Sequence, residues 1–164
     1  MAGDVLSTGG WRLQPSKTRD IAELMGWFGA EEDVVIWGGP RFRYPFTRAS
    51  FFEDIYWGRM LSYSLLSADG SLVGFGQLYD RDEHIHLARL IVAPASRGQG
   101  IGRRLIDMLM QMGRSRMPYD RYSLFVFRDN KPAYECYRSF GFEIRDYPKD
   151  MPYADACYFL TKTP

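Results

Sequence analysis

The chain is short of cysteine, of net charge and of long apolar runs, and each shortage removes a class of protein. Two cysteines, Cys136 and Cys157, cannot build a disulfide framework, so a reducing compartment is expected. A net charge of +1 gives no bulk attraction to nucleic acid or to an acidic membrane surface. No apolar run approaches the ~20 residues of a membrane span. No basic stretch followed by an apolar run opens the sequence, so no secretory leader is expected. Internal repeats and low-complexity segments are missing too. The expectation is a cytoplasmic protein that engages neither nucleic acid nor membrane and holds no metal.

What is present is an ordinary globular balance, 46% hydrophobic and 25% charged. Aromatics, at 16%, are plentiful enough to suggest pockets as well as core. A length of 164 residues suffices for one domain. Residues 1–10 are small and polar and are expected to be flexible, which leaves 11–164 as that domain.

Alternation predicts strands at 11–14, 61–67, 72–79, 84–92 and 122–127, with 142–147 and 154–160 as a closing antiparallel pair. Helical spacing predicts helices from Ser16 or Thr18 to about Phe28, from Thr47 to about Trp57, over 101–113, and from Asn130 to Phe140. Ser50 and Glu53 form a capping-box pattern inside the second helix. Asp69-Gly70 signals a hairpin and Gly141 a helix stop. Residues 31–36 allow only a helical turn before Gly38, Gly39 and Pro40, and RFRYPFT (41–47) reads as an aromatic, basic loop. The order is β α α β β β α β α β β. It implies a mixed α/β sheet of about seven strands with about four helices packed on it.

The densest signal lies at 84–113, HIHLARLIVAPASRGQGIGRRLIDMLMQMG. A strand rich in Ile, Leu and Val ends at Pro94. A glycine-rich turn follows, and then Ile101, Leu105, Met108, Leu109 and Met112 recur at helical spacing. Such a turn exposes unpaired backbone N–H groups at the positive end of a helix dipole, a natural seat for phosphate. A dinucleotide fingerprint would need glycine where Arg103 stands, and no Gly-Lys-Ser/Thr phosphate loop is present.

Two patterns give the turn an identity. The segment LIVAPASRGQGIG resembles the Arg/Gln-x-x-Gly-x-Gly/Ala motif of the GNAT superfamily of N-acetyltransferases, and Asn130, Ala133, Tyr137, Gly141 and Phe142 stand at the spacing of its second mark. The resemblance implies the GNAT fold, a mostly antiparallel sheet with splayed central strands. It also implies acetyl-CoA as cosubstrate and a primary amine as acceptor, attacked directly in a ternary complex, with room for a homodimer. The cofactor seat falls on the backbone of Gly98, Gln99, Gly100, Ile101 and Gly102. The side chains of Arg97 and Arg103, and less clearly Arg104, are able to add charge-assisted bonds.

By motif position the backbone of Leu90 and Val92 pairs with the pantetheine arm. The Leu90 N–H acts as an oxyanion donor, and Asn130 lies near the pantetheine. Tyr137 matches the general acid, and its bland alternative is a core tyrosine on an amphipathic helix. Cys136 reads as a small buried hydrophobe. His86 stands where some relatives carry a glutamate base. It is either that base or a polar residue satisfied inside the sheet. His84 shares its face, and Asp80, Asp82 and Glu83 are able to act through water. For the acceptor pocket the sequence offers Trp37, Arg41, Phe42, Arg43, Tyr44, Phe46, Tyr147 and Tyr153. The acceptor is a small amine or amino acid, or a protein α-amine or lysine. The segment 145–160 is faintly similar to ribosomal-protein α-amine acetyltransferases, too little to name a substrate. A non-catalytic acyl-CoA-binding sensor is the alternative function.

Overall fold

A computed structural model describes residues 5–164. Along the chain run β1 (Leu6–Thr8), β2 (Trp11–Pro15), α1 (Thr18–Met25), α2 (Glu31–Gly38) and α3 (Arg48–Asp54). Then come β3 (Leu61–Leu66), β4 (Leu72–Arg81), β5 (His84–Val92), α4 (Ile101–Arg116) and β6 (Tyr122–Phe127). The chain closes with α5 (Lys131–Ser139), β7 (Glu143–Arg145) and β8 (Cys157–Lys162). The strands form one sheet in the order β1-β2-β3-β4-β5-β6-β8-β7. Every pairing is antiparallel except β5 with β6.

Both faces of the sheet's centre are covered, which is why β4 reads as an almost unbroken apolar run. On one face α4 lays Leu105, Met108, Leu109 and Met112 against Leu78, Ile85 and Leu87. On the other, Ile21 and Leu24 of α1, Val34 of α2, and Phe51 and Ile55 of the α3 region close over Phe75. Successive strand residues point to opposite faces, so one strand serves both cores.

Helix α4 lies unusually close to the sheet. A Cβ on Gly113 would come within 2.5 Å of Ile85 Cγ2, and Ile85 is fully buried. Gly113→Ala should therefore destabilise the fold by about 1–2 kcal/mol, despite the roughly 1 kcal/mol by which alanine favours a helix. Denaturant unfolding reads this directly, and a raised midpoint would contradict it.

Four expectations need correction. Residues 6–8 are not frayed: they pair with β2 across Gly9 and Gly10, in register Leu6↔Leu13. Residues 1–4 lie outside the described part. The stretch after Glu31 makes a full helix, α2, which ends where Gly38 and Gly39 stop it. The capping box is Thr47 with Ser50, each side chain accepting from the other's backbone N–H at 3.0 and 2.9 Å, one turn earlier than Ser50–Glu53. The first helix has Lys17 at its N-cap, neither Ser16 nor Thr18, with Asp20 accepting from the Lys17 N–H at 2.8 Å. Among the described residues the sheet thus has eight strands, with five α-helices. None of those helices is long and apolar enough to cross a membrane.

Candidate active site

The two central strands part company halfway along. The parallel register of β5 with β6 covers only Ile85↔Tyr122 and His86↔Ser123. Beyond them β5 stays with β4 while β6 follows β8 as far as Phe127↔Cys157. A cleft of about 850 Å³ runs through this opening, lined by residues 86–92 of β5 and 125–127 of β6.

The β4–β5 ladder carries a bulge at the same place. Phe75 faces Ile91 and Gln77 faces Ala88, so Arg89 and Leu90 together oppose Gly76. Arg89 adopts φ 51°, and its carbonyl accepts from Trp37 Nε1 at 2.8 Å, which ties α2 to the bulge.

At one end of the cleft stands the turn 97–102. Gly98 and Gly100 have φ 78° and 76°, a region closed to most side chains. Gly100 is the N-cap of α4, and no side chain caps that end. Its first N–H groups therefore face outward at the positive helix pole. A Cβ on either glycine would meet nothing within 4 Å, so the turn's outer surface is open. Arg97 lines the cleft and donates from Nε to the Val92 carbonyl at 3.2 Å. Gln99 is exposed, while Ile101 turns its side chain into the core. Arg103 is not aimed at the turn as expected: it hydrogen-bonds Ser139 Oγ and covers the Phe140 ring at 4.6 Å, because α5 lies beside it. Arg104 lies over Trp11 at 4.9 Å, as packing.

Asn130 and Tyr137 both border the cleft. Asn130 caps α5, its Oδ1 accepting from the Ala133 N–H at 3.4 Å. Tyr137 packs edgewise on Phe142 with ring centroids 6.0 Å apart. Burial, with a smaller contribution from Cys136, pushes its phenol above the usual range, so it remains protonated. The Cys136 thiol is likewise pushed up by burial, as befits a packing residue rather than a nucleophile.

His86 sits deeper, 2% exposed, between Tyr79 and Phe125 at centroid distances of 4.7 and 5.2 Å. Its Nδ1 is hydrogen-bonded to Ser123 Oγ at 2.7 Å. Burial first, then the charges of Arg81, His84 and Arg89, pushes it down to about 3. At neutral pH the ring is uncharged and a poor proton acceptor, contrary to the role of base. His84 lies off the cleft with Nδ1 bonded to the Asp82 carbonyl at 2.8 Å, and Asp80 is engaged by Tyr119 at 2.8 Å.

Among the residues expected around the acceptor, Trp37, Arg41, Tyr147 and Tyr153 do line the cleft. Phe42 is core, Tyr44 and Phe46 meet edge to face, and Arg43 is paired with Asp54 at 2.9 Å and Glu53 at 3.2 Å. Sequence reading passed over Arg89, Tyr79 and Tyr56, which the bulge and the α3–β3 connection bring to the same end. Among the described residues no group of three His, Cys, Asp or Glu side chains is placed to hold a metal ion.

Known proteins share this sequence pattern and this fold. Residues 25–142 match the Acetyltransferase (GNAT) family. A Bacillus subtilis (strain 168) protein provisionally named ribosomal protein bS18-alanine N-acetyltransferase is 26% identical over 102 residues, 62% of this chain and 67% of that protein. The N-acetyltransferase 9-like protein of Nematostella vectensis is 29% identical over 76 residues, which is 44% of this chain and 38% of its own length. The structure of spermidine N-acetyltransferase from Vibrio cholerae, in complex with CoA and spermine, superposes with a TM-score of 0.74. That match covers 94% of this chain and 95% of the other at 15% identity, a likeness of fold.

Proposed function

Because this chain belongs to the acetyltransferase (GNAT) family, we propose that it transfers an acetyl group from acetyl-CoA directly to a primary amine. The observation that carries the reading is one cleft that reaches from Arg97, at the start of the glycine turn, past the bulge to Tyr137. Acetyl-CoA, when bound, supplies the acetyl thioester. The turn 97–102 fits a pyrophosphate: its glycines leave space, and the uncapped N–H groups of α4 offer donors at a positive pole. Arg97, steered by the Val92 carbonyl, adds a positive charge beside it.

The splay leaves the backbone of Leu90 and Val92 without ladder partners on the β6 side. Those groups would hold the pantetheine arm as a neighbouring strand would, and the Leu90 N–H would polarise the thioester carbonyl. Tyr137 would hold a proton for the departing thiolate. Tyr137→Phe preserves the contact with Phe142, so packing should survive while turnover falls roughly 10²-fold. Acetyl-CoA affinity should stay nearly the same. Unchanged turnover would remove Tyr137 from the chemistry and leave it a core residue.

Among the described residues that line the cleft, the neutral His86 ring is too weak a base to take the amine's proton, and the carboxylates Asp33 and Asp150 are exposed to water. The acceptor is therefore expected to shed it to water through the open cleft before attack. A free amine attacking directly needs no nucleophile from the protein, in keeping with the high thiol pKa of Cys136. A panel of small amines, amino acids and peptides with free N-termini, assayed for thiol release from acetyl-CoA, tests the reading. Release with at least one amine supports it. Binding of acetyl-CoA without release for any amine would identify a sensor module instead.

A further inference from the structure

We propose that the acceptor amine carries an anionic group, a carboxylate or a phosphate, and that Arg89 is its receptor. The inference rests on the acetyl-transfer reading above and sharpens it. Arg89 occupies the bulge of the central strand, next in sequence to Leu90, and borders both the main cleft and an adjoining pocket of about 430 Å³. An acceptor attacking beside Leu90 is thus within one arginine length of this guanidinium.

The guanidinium is fixed in place but not neutralised. Its Nη1 donates to Gln77 Oε1 at 3.1 Å and approaches Met60 Sδ at 3.8 Å. Gln77 is itself clamped, its amide donating to the Ile55 carbonyl at 2.7 Å and to Ser62 Oγ at 2.9 Å. Arg89 Nε is buried and has no hydrogen-bond partner. Among the described residues no carboxylate pairs with Arg89. Asp54, whose charge reaches it, is already held by Arg43 through Nε at 3.1 Å and Nη2 at 2.9 Å. A largely buried cation that meets only a neutral amide, a thioether and the face of the Tyr56 ring, 5.5 Å away, is costly to keep without an anion. A ligand oxygen pair would meet it, because the Nε–Nη2 edge presents two parallel N–H groups at carboxylate spacing.

The smaller pocket agrees in sign. Arg41 lines both pockets and Arg59 the smaller one, where the acids Glu53 and Asp54 are taken by Arg43. Arg81 Nε is a second buried donor without a partner, and its ion pair with the exposed Asp150 is long, at 3.6 Å. In the smaller pocket four arginines (Arg41, Arg43, Arg59 and Arg89) face two acids, an excess that disfavours a polyamine and favours an amino acid or a phosphorylated amine, whereas the main cleft sets the exposed Asp33 and Asp150 against Arg41 and Arg89.

The test is thiol release with matched pairs: ω-amino acids against alkylamines of equal length, and phosphoethanolamine against ethanolamine, with spermidine as the polycation. The anionic member of a pair should exceed the neutral one by about 10–100-fold in kcat/KM, carried by KM, as a charged hydrogen bond predicts. The carboxylate and phosphate pairs show which anion is meant. Arg89→Met should bring the ratio close to one, and Arg89→Lys should restore part of it, with acetyl-CoA titration confirming that each variant is folded. Equal kcat/KM within every pair, a preference for spermidine, or a ratio unaltered in Arg89→Met would overturn the inference while leaving acetyl transfer standing. Release with no amine of any charge would sink the acetyl-transfer reading itself, and this inference with it.

Discussion

Gly100→Glu should weaken acetyl-CoA binding by at least about 10³-fold while the protein stays folded. Two effects combine in that variant. The first is conformational: φ is 76° at this position, and a side chain there costs on the order of 1 kcal/mol. The second is electrostatic. A carboxylate roughly 4 Å from a bound pyrophosphate charge, at an effective dielectric near 20, opposes binding by about 4 kcal/mol, a factor near 10³. The protein itself offers no clash, since a Cβ on Gly100 meets nothing within 4 Å. Gly100→Ala isolates the first effect and should lose far less affinity. Calorimetric titration of both variants separates the two, and retained affinity in the glutamate variant would contradict the assignment of the turn.

His86 should make the protein sensitive to acid. Its ordinary value near ~6.5 is lowered to about 3 in the fold, so the unfolded chain binds the proton more readily. The stability this contributes is complete above pH ~6.5 and is lost as pH falls toward 3. Between pH 7 and pH 4 the loss from this one group is about 3 kcal/mol. Denaturant unfolding of His86→Gln across that interval should show a distinctly flatter decline than the parent. The same variant separates a structural from a catalytic role. Because the ring is buried, neutral and bonded to Ser123, the acidic limb of the rate profile should follow the amine's own ionisation and remain where it is. An acidic limb displaced in His86→Gln would return the histidine to the role of base.

The parts of this account visible in the sequence are those encoded locally. The strand–turn–helix at 84–113 announces itself through an apolar run, a proline stop, three glycines and a 3.6-residue spacing, and Asn130 and Gly141 bracket α5 as cap and stop. What escaped depends on partners far along the chain. β1 is three residues long and has no pattern of its own; it exists because β2 offers an edge. α2 holds its apolar residues in one block, Val34 to Trp37, rather than on a stripe, and packing under α1 and α3 decides its form. The bulge at Arg89 has no glycine to mark it, although it re-aims the strand at the point where the cleft opens. The histidine at position 86 carries no sign of its burial, because Ser123 and Phe125 arrive from β6, 37 residues later in the case of Ser123. Arg103 was assigned by proximity in sequence to the turn, yet α5 claims it.

The most direct measurement of the central claim is the initial velocity of CoA release with acetyl-CoA and an accepted amine varied together. Direct transfer inside one cleft requires both substrates at once, so reciprocal plots at several fixed amine concentrations should intersect. Parallel lines would show that the acetyl group first rests on the protein, and would contradict the account.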